Sequence, residues 1–216
     1  MGDSPGKFPK REKKKAETRQ KIIDASIELF FQMGAGDVTM EAVAKAAGIH
    51  VQTLYSHFPN KLSLMLAGDQ HWFDQFTAYM SDPAKTGDTF SRWRDWLKTA
   101  YRRFVEDEKK YKHLVQRKSS SLIGFAGLSA IQIQYENVLC EHLASDFDMS
   151  ADDVGIPRLV AGMLVSGNAA VIRRFLSEDI QLLDESVKAA ELVESLFGHL
   201  IVHRVRANYT RKKVAE

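Results

Sequence analysis

Eight cations crowd the start of the chain: Lys7, Lys10, Arg11, Lys13, Lys14, Lys15, Arg19 and Lys21 are opposed within residues 7–21 only by Glu12 and Glu17. Ammonium and guanidinium groups at this density suit a polyanion rather than a reaction centre, because they bring charge and donors but no nucleophile and no proton-transfer pair. The imbalance is local. Residues 1–61 hold 10 Lys/Arg against 7 Asp/Glu, residues 62–216 hold 20 against 21, and the 216-residue chain as a whole stands at +2. Taken alone, the run reads equally as a basic arm or as a solvated tail.

Other groupings that could carry chemistry are thin. His199 and His203 lie one helical turn apart, as two zinc ligands would, but the HLIVH segment lacks the Glu general base and no third ligand is evident. No Glu-x-x-His pair of the di-iron bundle type, no Gly-rich phosphate loop and no nucleophile elbow occurs. The expectation is therefore no enzyme, no metal and no cofactor. Cys140 is the single cysteine, which excludes an intrachain disulfide and fits a reducing compartment. The longest apolar run, Leu159 to Val165, falls far short of the roughly 18 residues of a membrane span, and no apolar h-region follows the N-terminal cations. With 44% hydrophobic and 27% charged residues, the composition is that of a soluble globular chain, expected in the cytoplasm with no membrane partner.

The elements that position these residues read as helices. Residues 1–15, rich in Gly, Pro and Lys, are expected to form a disordered basic arm. Beyond them no strand-like alternation appears, and helical spacing predicts an all-α chain of about nine helices. The first spans about Ala16 to Met33, with Ile23, Ile27 and Phe30 on one face and Gly34 and Gly36 as the stop. The second spans Thr39 to Ala46, with Thr39 as N-cap and Met40, Val43, Ala44 and Ala47 at i, i+3, i+4 and i+7 before Gly48. The third spans about His50 to Phe58, where Val51, Leu54, Tyr55 and Phe58 repeat the pattern before Pro59; Asn60 caps the next. Two short helices joined by Ala47-Gly48-Ile49 and braced by a longer one form a helix-turn-helix pattern.

Further helices are expected near Lys61 to Met80, Phe90 to Glu106, Glu108 to Arg117 and Ser121 to Ser145. Another reaches Leu176 from either a Ser150 cap or Pro157 at a first helical position, and the last runs from an Asp184 cap to about Asn208. That last helix carries Leu192, Val193, Leu196, Phe197, Leu200 and Ile201, and its predecessor carries Gly162, Ser166, Gly167, Ala169 and Ala170. The stripe and the small residues suit either an ordinary core or a subunit interface.

The stretch from Ala16 to Leu66 strongly resembles the DNA-binding domain of the TetR family of bacterial regulators. The resemblance rests on Thr18-Arg19, Ile22-Ile23-Asp24-Ala25, Glu28-Leu29-Phe30, Gly34, Thr39, Val43-Ala44, Ala47-Gly48, Thr53-Leu54-Tyr55, Phe58 and Asn60-Lys61. It covers roughly the first third of the chain; beyond it only length, helix count and a terminal pair of long helices fit. It implies a helix-turn-helix domain over residues 16–62 and a helical effector-binding and dimerisation domain over residues 63–216. The implied function is a homodimeric transcriptional repressor, paired through its last two long helices, that binds a palindromic double-stranded operator and is released by a small molecule.

By the same resemblance, His50, Val51 and Gln52 are the base-reading side chains. The family often has Ser, then Lys or Arg, then Gly there, so the operator of a typical member does not carry over. Gln52 suits adenine N6/N7, His50 a base or phosphate, and Val51 either a thymine methyl or the protein core. Thr18, Thr39, Thr53, Tyr55, His57 and Lys61 align with phosphate-contacting positions. Lys13, Lys14, Lys15 and Arg19 reach the minor groove or add salt-dependent affinity. In the larger domain Trp93 and Tyr101 add to an aromatic surface from which Trp72, Phe76, Trp96, Phe104, Phe125 and Tyr135 are candidate walls of an effector pocket or plain core. His113, Gln116, Tyr135 and Asn168 are its candidate polar groups, which makes an apolar or aromatic effector the expectation. The competing classes are a helical-bundle enzyme and an architectural DNA-binding protein, against which the nearly neutral C-terminal part argues.

Overall fold

The computed structural model describes residues 9–34, 36–105, 122–151 and 155–202. These form eight α-helices: α1 (Pro9–Met33), α2 (Met40–Ala46), α3 (Val51–His57), α4 (Lys61–Ser81), α5 (Thr89–Val105), α6 (Leu122–Phe147), α7 (Ile156–Ser177) and α8 (Leu182–Phe197), with a 3-10 turn at Gly198–Leu200. Among the described residues there is no strand, so the chain is all-α as its spacing indicated. The helix expected over Glu108 to Arg117 lies outside the described residues.

Three helix boundaries differ from the sequence reading. α1 starts at Pro9 rather than near Ala16, so Lys10 to Lys15 are helical and not a disordered arm. Lys, Arg, Glu and Ala are good helix formers, a proline is tolerated in a first turn, and Glu12 faces the positive end of the helix. At the other end α8 stops at Phe197 instead of continuing to Asn208; Gly198 takes over as C-cap, a 3-10 turn follows, and Ile201 is extended. Its N-cap is Gln181, while Asp184 and Glu185 occupy the first turn. For α7 the alternative that holds is Pro157, which sits in the first turn behind Gly155.

The chain divides into two compact units after His71, a division that falls within α4. In the first unit Ile22, Ile23, Val38, Met40, Val43, Ala44, Leu54, Phe58, Leu64 and Ala67 make one buried cluster, drawing on all of α1 to α4. Burial of such side chains contributes roughly 1.5–3 kcal/mol each and fixes where α3 lies. In the second unit Phe76, Met80, Phe90, Trp93, Trp96, Leu97, Leu139, Leu143, Leu164 and Phe175 belong to a larger cluster.

Polar ties set the register of the second unit. Arg92 donates from Nε to the Gly87 carbonyl at 3.2 Å, from Nη1 to Met80 at 2.6 Å and from Nη2 to Lys85 at 2.8 Å, which locks the α4–α5 connection. The Thr89 amide at the start of α5 donates to the Asp146 carboxylate of α6 at 2.6 Å. Arg94 pairs with Glu194 between α5 and α8, and Arg158 of α7 donates to Asn137 of α6 at 2.7 Å. Cys140 is fully buried, and burial pushes its thiol pKa up, which disfavours the reactive thiolate. Among the described residues no helix is long and apolar enough to cross a membrane.

Candidate DNA-binding surface

The link from α2 to α3 is set by glycine. Gly48 has φ 66°, the Ile49 amide donates to the Ala44 carbonyl at 3.0 Å and the Gly48 amide to Lys45 at 3.2 Å, a Schellman motif that closes α2 and turns the chain. At the front of α2 the Thr39 hydroxyl accepts from the Ala42 amide at 3.1 Å, which caps the helix and leaves the hydroxyl proton free to donate outward. Behind α3 the Asn60 side chain accepts from the Ser63 amide at 2.8 Å and starts α4.

α3 itself is held by its inner face. Leu54 and Phe58 are fully buried, and Val51 and Thr53 are half-buried. On the opposite side Gln52, Tyr55 and Ser56 are exposed, Tyr55 at 45%, with His50 exposed at the N-cap. Gln52, Tyr55 and Ser56 follow at i, i+3 and i+4 and so form one face that a groove can receive. Ser56 was not among the residues expected from the family pattern, although the helical period from Gln52 points to it. Val51 packs against the buried cluster of this unit, which favours the core alternative over a base contact.

Two of the expected DNA-contacting cations are engaged within the protein. The Arg19 guanidinium lies over the Phe58 ring at 4.3 Å, and Nη1 reaches the His57 carbonyl at 3.5 Å. It therefore clamps the C-terminal end of α3 instead of trailing as part of an arm. Lys61 donates to the carbonyls of Gly36 at 3.1 Å and Val38 at 3.0 Å, so two of its three donors tie α4 to the α1–α2 loop. Lys15, Lys13 and Lys14 are exposed on α1. The charges of Lys15 and Arg19 reach His57, whose pKa is pulled below its ordinary value first by burial and then by these two cations. Both causes favour the neutral imidazole. The Thr18 hydroxyl donates to the Lys14 carbonyl at 2.9 Å.

In the second unit the structure brings together part of the expected effector set. Phe76 stacks against Tyr135 at 4.5 Å and lies 5.4 Å from Trp96, and Trp72 packs on the same cluster. Asn168 is engaged by Tyr101: Tyr101 Oη lies 3.1 Å from Asn168 Oδ1 and 2.9 Å from Nδ2. Burial pushes the Tyr101 pKa up to about 12, which keeps this pair neutral. Phe104 is on α5 and Phe125 on α6, whereas His113 and Gln116 lie outside the described residues. His199 is exposed in the 3-10 turn, and His203 is likewise outside the described residues.

α7 and α8 expose apolar side chains: Leu159 is 56% exposed, Leu192 65% and Leu196 52%. The small residues are less uniform. A Cβ at Gly162 would make an ordinary contact with the Glu136 carboxylate of α6 at 3.7 Å, whereas a Cβ at Gly167 would meet nothing within 4 Å.

A three-helix helix-turn-helix with an exposed recognition face, preceding a separate helical unit, defines a class of DNA-binding protein. Residues 22–67 match the family model for bacterial regulatory proteins of the tetR family. The transcriptional regulator SrpR of Pseudomonas putida is 43% identical over 58 residues, 26% of this chain and 27% of that one. The transcriptional repressor KstR of Mycolicibacterium smegmatis is 34% identical over 73 residues, 34% of this chain and 36% of that one. The alignments thus span well under half the length of these relatives. In fold, the regulator FadR of Bacillus subtilis, solved with stearoyl-CoA, superposes with a TM-score of 0.58 at 20% identity, over 81% of this chain and 96% of that one. Residues 22–67 are thus similar to the DNA-binding part of the tetR family of bacterial regulatory proteins.

Proposed function

We propose that the protein is a dimeric, sequence-specific transcriptional repressor, working in the cytoplasm, whose operator is released when a small molecule binds the helical domain. The observation that carries this reading is α3: Leu54 and Phe58 anchor it in a closed core while Gln52, Tyr55, Ser56 and His50 stay exposed on one side. A helix so presented enters a major groove, where the Gln52 amide forms the bidentate pair with adenine N6 and N7 and His50 meets the edge of the site. Around it Thr39, Thr53, Tyr55 and His57 donate to phosphates, while Lys61 chiefly shapes the loop ahead of α2. Lys13, Lys14 and Lys15, ordered on α1, add charge toward the duplex.

The exposed Leu192 and Leu196, neighbours at i and i+4 on α8, support pairing of two chains there, since a contiguous apolar patch marks an interface more often than a lone apolar side chain does. A dimer presents two α3 helices, and they must stand about 34–36 Å apart to meet successive major grooves. The aromatic cluster of the second unit supports an apolar or aromatic effector. A protein of similar fold takes a ligand: FadR was solved in complex with stearoyl-CoA. Release follows if the effector favours a state in which the α3 spacing no longer fits DNA.

The test is selection of binding sites from random duplex DNA, followed by a salt titration on the winner. A palindromic consensus bound by two chains, with affinity falling steeply as salt rises, is expected. Binding that ignores sequence, or none, overturns the reading.

A further inference from the structure

The buried polar side chains of the helical unit are almost all accounted for. Tyr101 pairs with Asn168, and the Ser91 hydroxyl donates to Asp88 at 2.8 Å. Among the described residues two buried side-chain polar atoms have no hydrogen-bond partner, Ser186 Oγ and Trp93 Nε1; the indole N–H, on a residue 3% exposed, is the one that can only donate. A buried donor without an acceptor is unfavourable, and such groups are rare in folded proteins.

The surroundings of this indole are aromatic and drawn from three helices. Its ring stands edge-on to Phe76 of α4, with centroids 5.8 Å apart and planes at 85°, and to Tyr135 of α6 at 6.5 Å and 72°. Phe76 and Tyr135 are tilted 32° from one another in plane, and Trp96 stands 5.4 Å from Phe76. The cation set against a ring of this cluster, Lys85, stands over Tyr79 and not over these rings. Tyr135 is only partly buried, and it is the wall nearest solvent.

We infer that the Trp93 indole N–H is the polar anchor of the effector site, and that it donates to a carbonyl oxygen on a neutral, planar aromatic molecule. The inference rests on the reading of this unit as an effector-binding domain and names the chemistry it recognises. A flat aromatic body can exchange stacking partners with Phe76, Trp96 and Tyr135. A neutral carbonyl satisfies a neutral indole donor, whereas a carboxylate would bring a charge to the rings of Phe76, Trp93 and Trp96, over which no cation stands among the described residues.

Two probes of nearly the same shape separate the possibilities: 9-fluorenone, which carries the carbonyl, and fluorene, which lacks it. Their binding to the full-length protein is measured by calorimetry, alongside Trp93→Phe and, as a control for lost aromatic area, Trp96→Phe. Fluorenone is expected to bind wild type about tenfold more tightly than fluorene, the difference one hydrogen bond supplies. The preference should vanish in Trp93→Phe and survive in Trp96→Phe. Equal affinities in wild type, a preference retained in Trp93→Phe, or binding of neither probe overturns the inference. If Trp93→Phe does not fold, the indole proton resonance of Trp93 in labelled wild type decides: a downfield shift with fluorenone but not fluorene supports it, and no shift overturns it. DNA binding, measured on the same preparations without probe, keeps the two readings apart. Its loss sinks the regulator, while failure of fluorenone with DNA binding intact sinks only the indole anchor.

Discussion

Replacing Gly48 by alanine isolates the backbone demand of the turn that presents α3. At φ 66° a residue with a Cβ is strained by about 1–2 kcal/mol in the left-handed region. A Cβ built at this position meets nothing within 4 Å, so no steric clash is added. Stiffening the unfolded chain by removing a glycine returns about 0.4–1 kcal/mol. The net loss is therefore about 1 kcal/mol, which at a urea slope of about 2 kcal/mol/M lowers the midpoint by about 0.5 M. Gly48→Asn should lose less, because asparagine tolerates this conformation. Urea titrations followed by circular dichroism on the three proteins measure the series. The reasoning is refuted if alanine is as stable as glycine, or if asparagine is as damaging as alanine.

Arg19→Ala removes a guanidinium–ring contact worth about 0.5–1 kcal/mol together with the reach to the His57 carbonyl; thermal unfolding should fall by a few degrees and Arg19→Lys should not restore it fully. Recovery of wild-type stability by lysine would mean that charge alone matters. The pKa of His57 lies below its usual value in the free protein, and a phosphate beside it must raise it. Binding then takes up a proton, and DNA affinity should strengthen as pH falls from 7 toward 6. Anisotropy titrations across that range should show the slope disappearing in His57→Gln; a slope that survives in the variant, or one of opposite sign, contradicts the phosphate contact. Leu192→Glu with Leu196→Glu places charge on the exposed stripe of α8 and should give monomers by sedimentation and weak operator binding. A dimer of undiminished strength would put the interface elsewhere.

Much of the first unit was legible because its signals are local. Thr39 as N-cap, Gly48 as stop and Asn60 as the next cap are short-range chemistry, and Leu54 and Phe58 follow from the 3.6-residue period. The resemblance also pointed to α3. What escaped depends on tertiary approach. Nothing near Arg19 in sequence announces Phe58, and nothing near Lys61 announces the carbonyls of Gly36 and Val38. The helical start of α1 is masked by the charge density of residues that are also good helix formers, and the end of α8 by an apolar stripe that outlasts the helix at Gly198. In the second unit Phe76, Trp96 and Tyr135 were named from type alone and do meet. Tyr101 and Asn168 meet across 67 positions of sequence, which no spacing rule anticipates.

The most direct measurement is an affinity scan of wild type and Gln52→Ala against the selected operator, changing one base pair at a time. The account expects wild type to prefer one A·T pair in each half-site, by about 1–3 kcal/mol over other pairs, and Gln52→Ala to lose that preference alone while its salt slope stays the same. Uniform weakening at every position, or an unchanged pattern of preferences, would contradict the claim that the exposed face of α3 reads DNA.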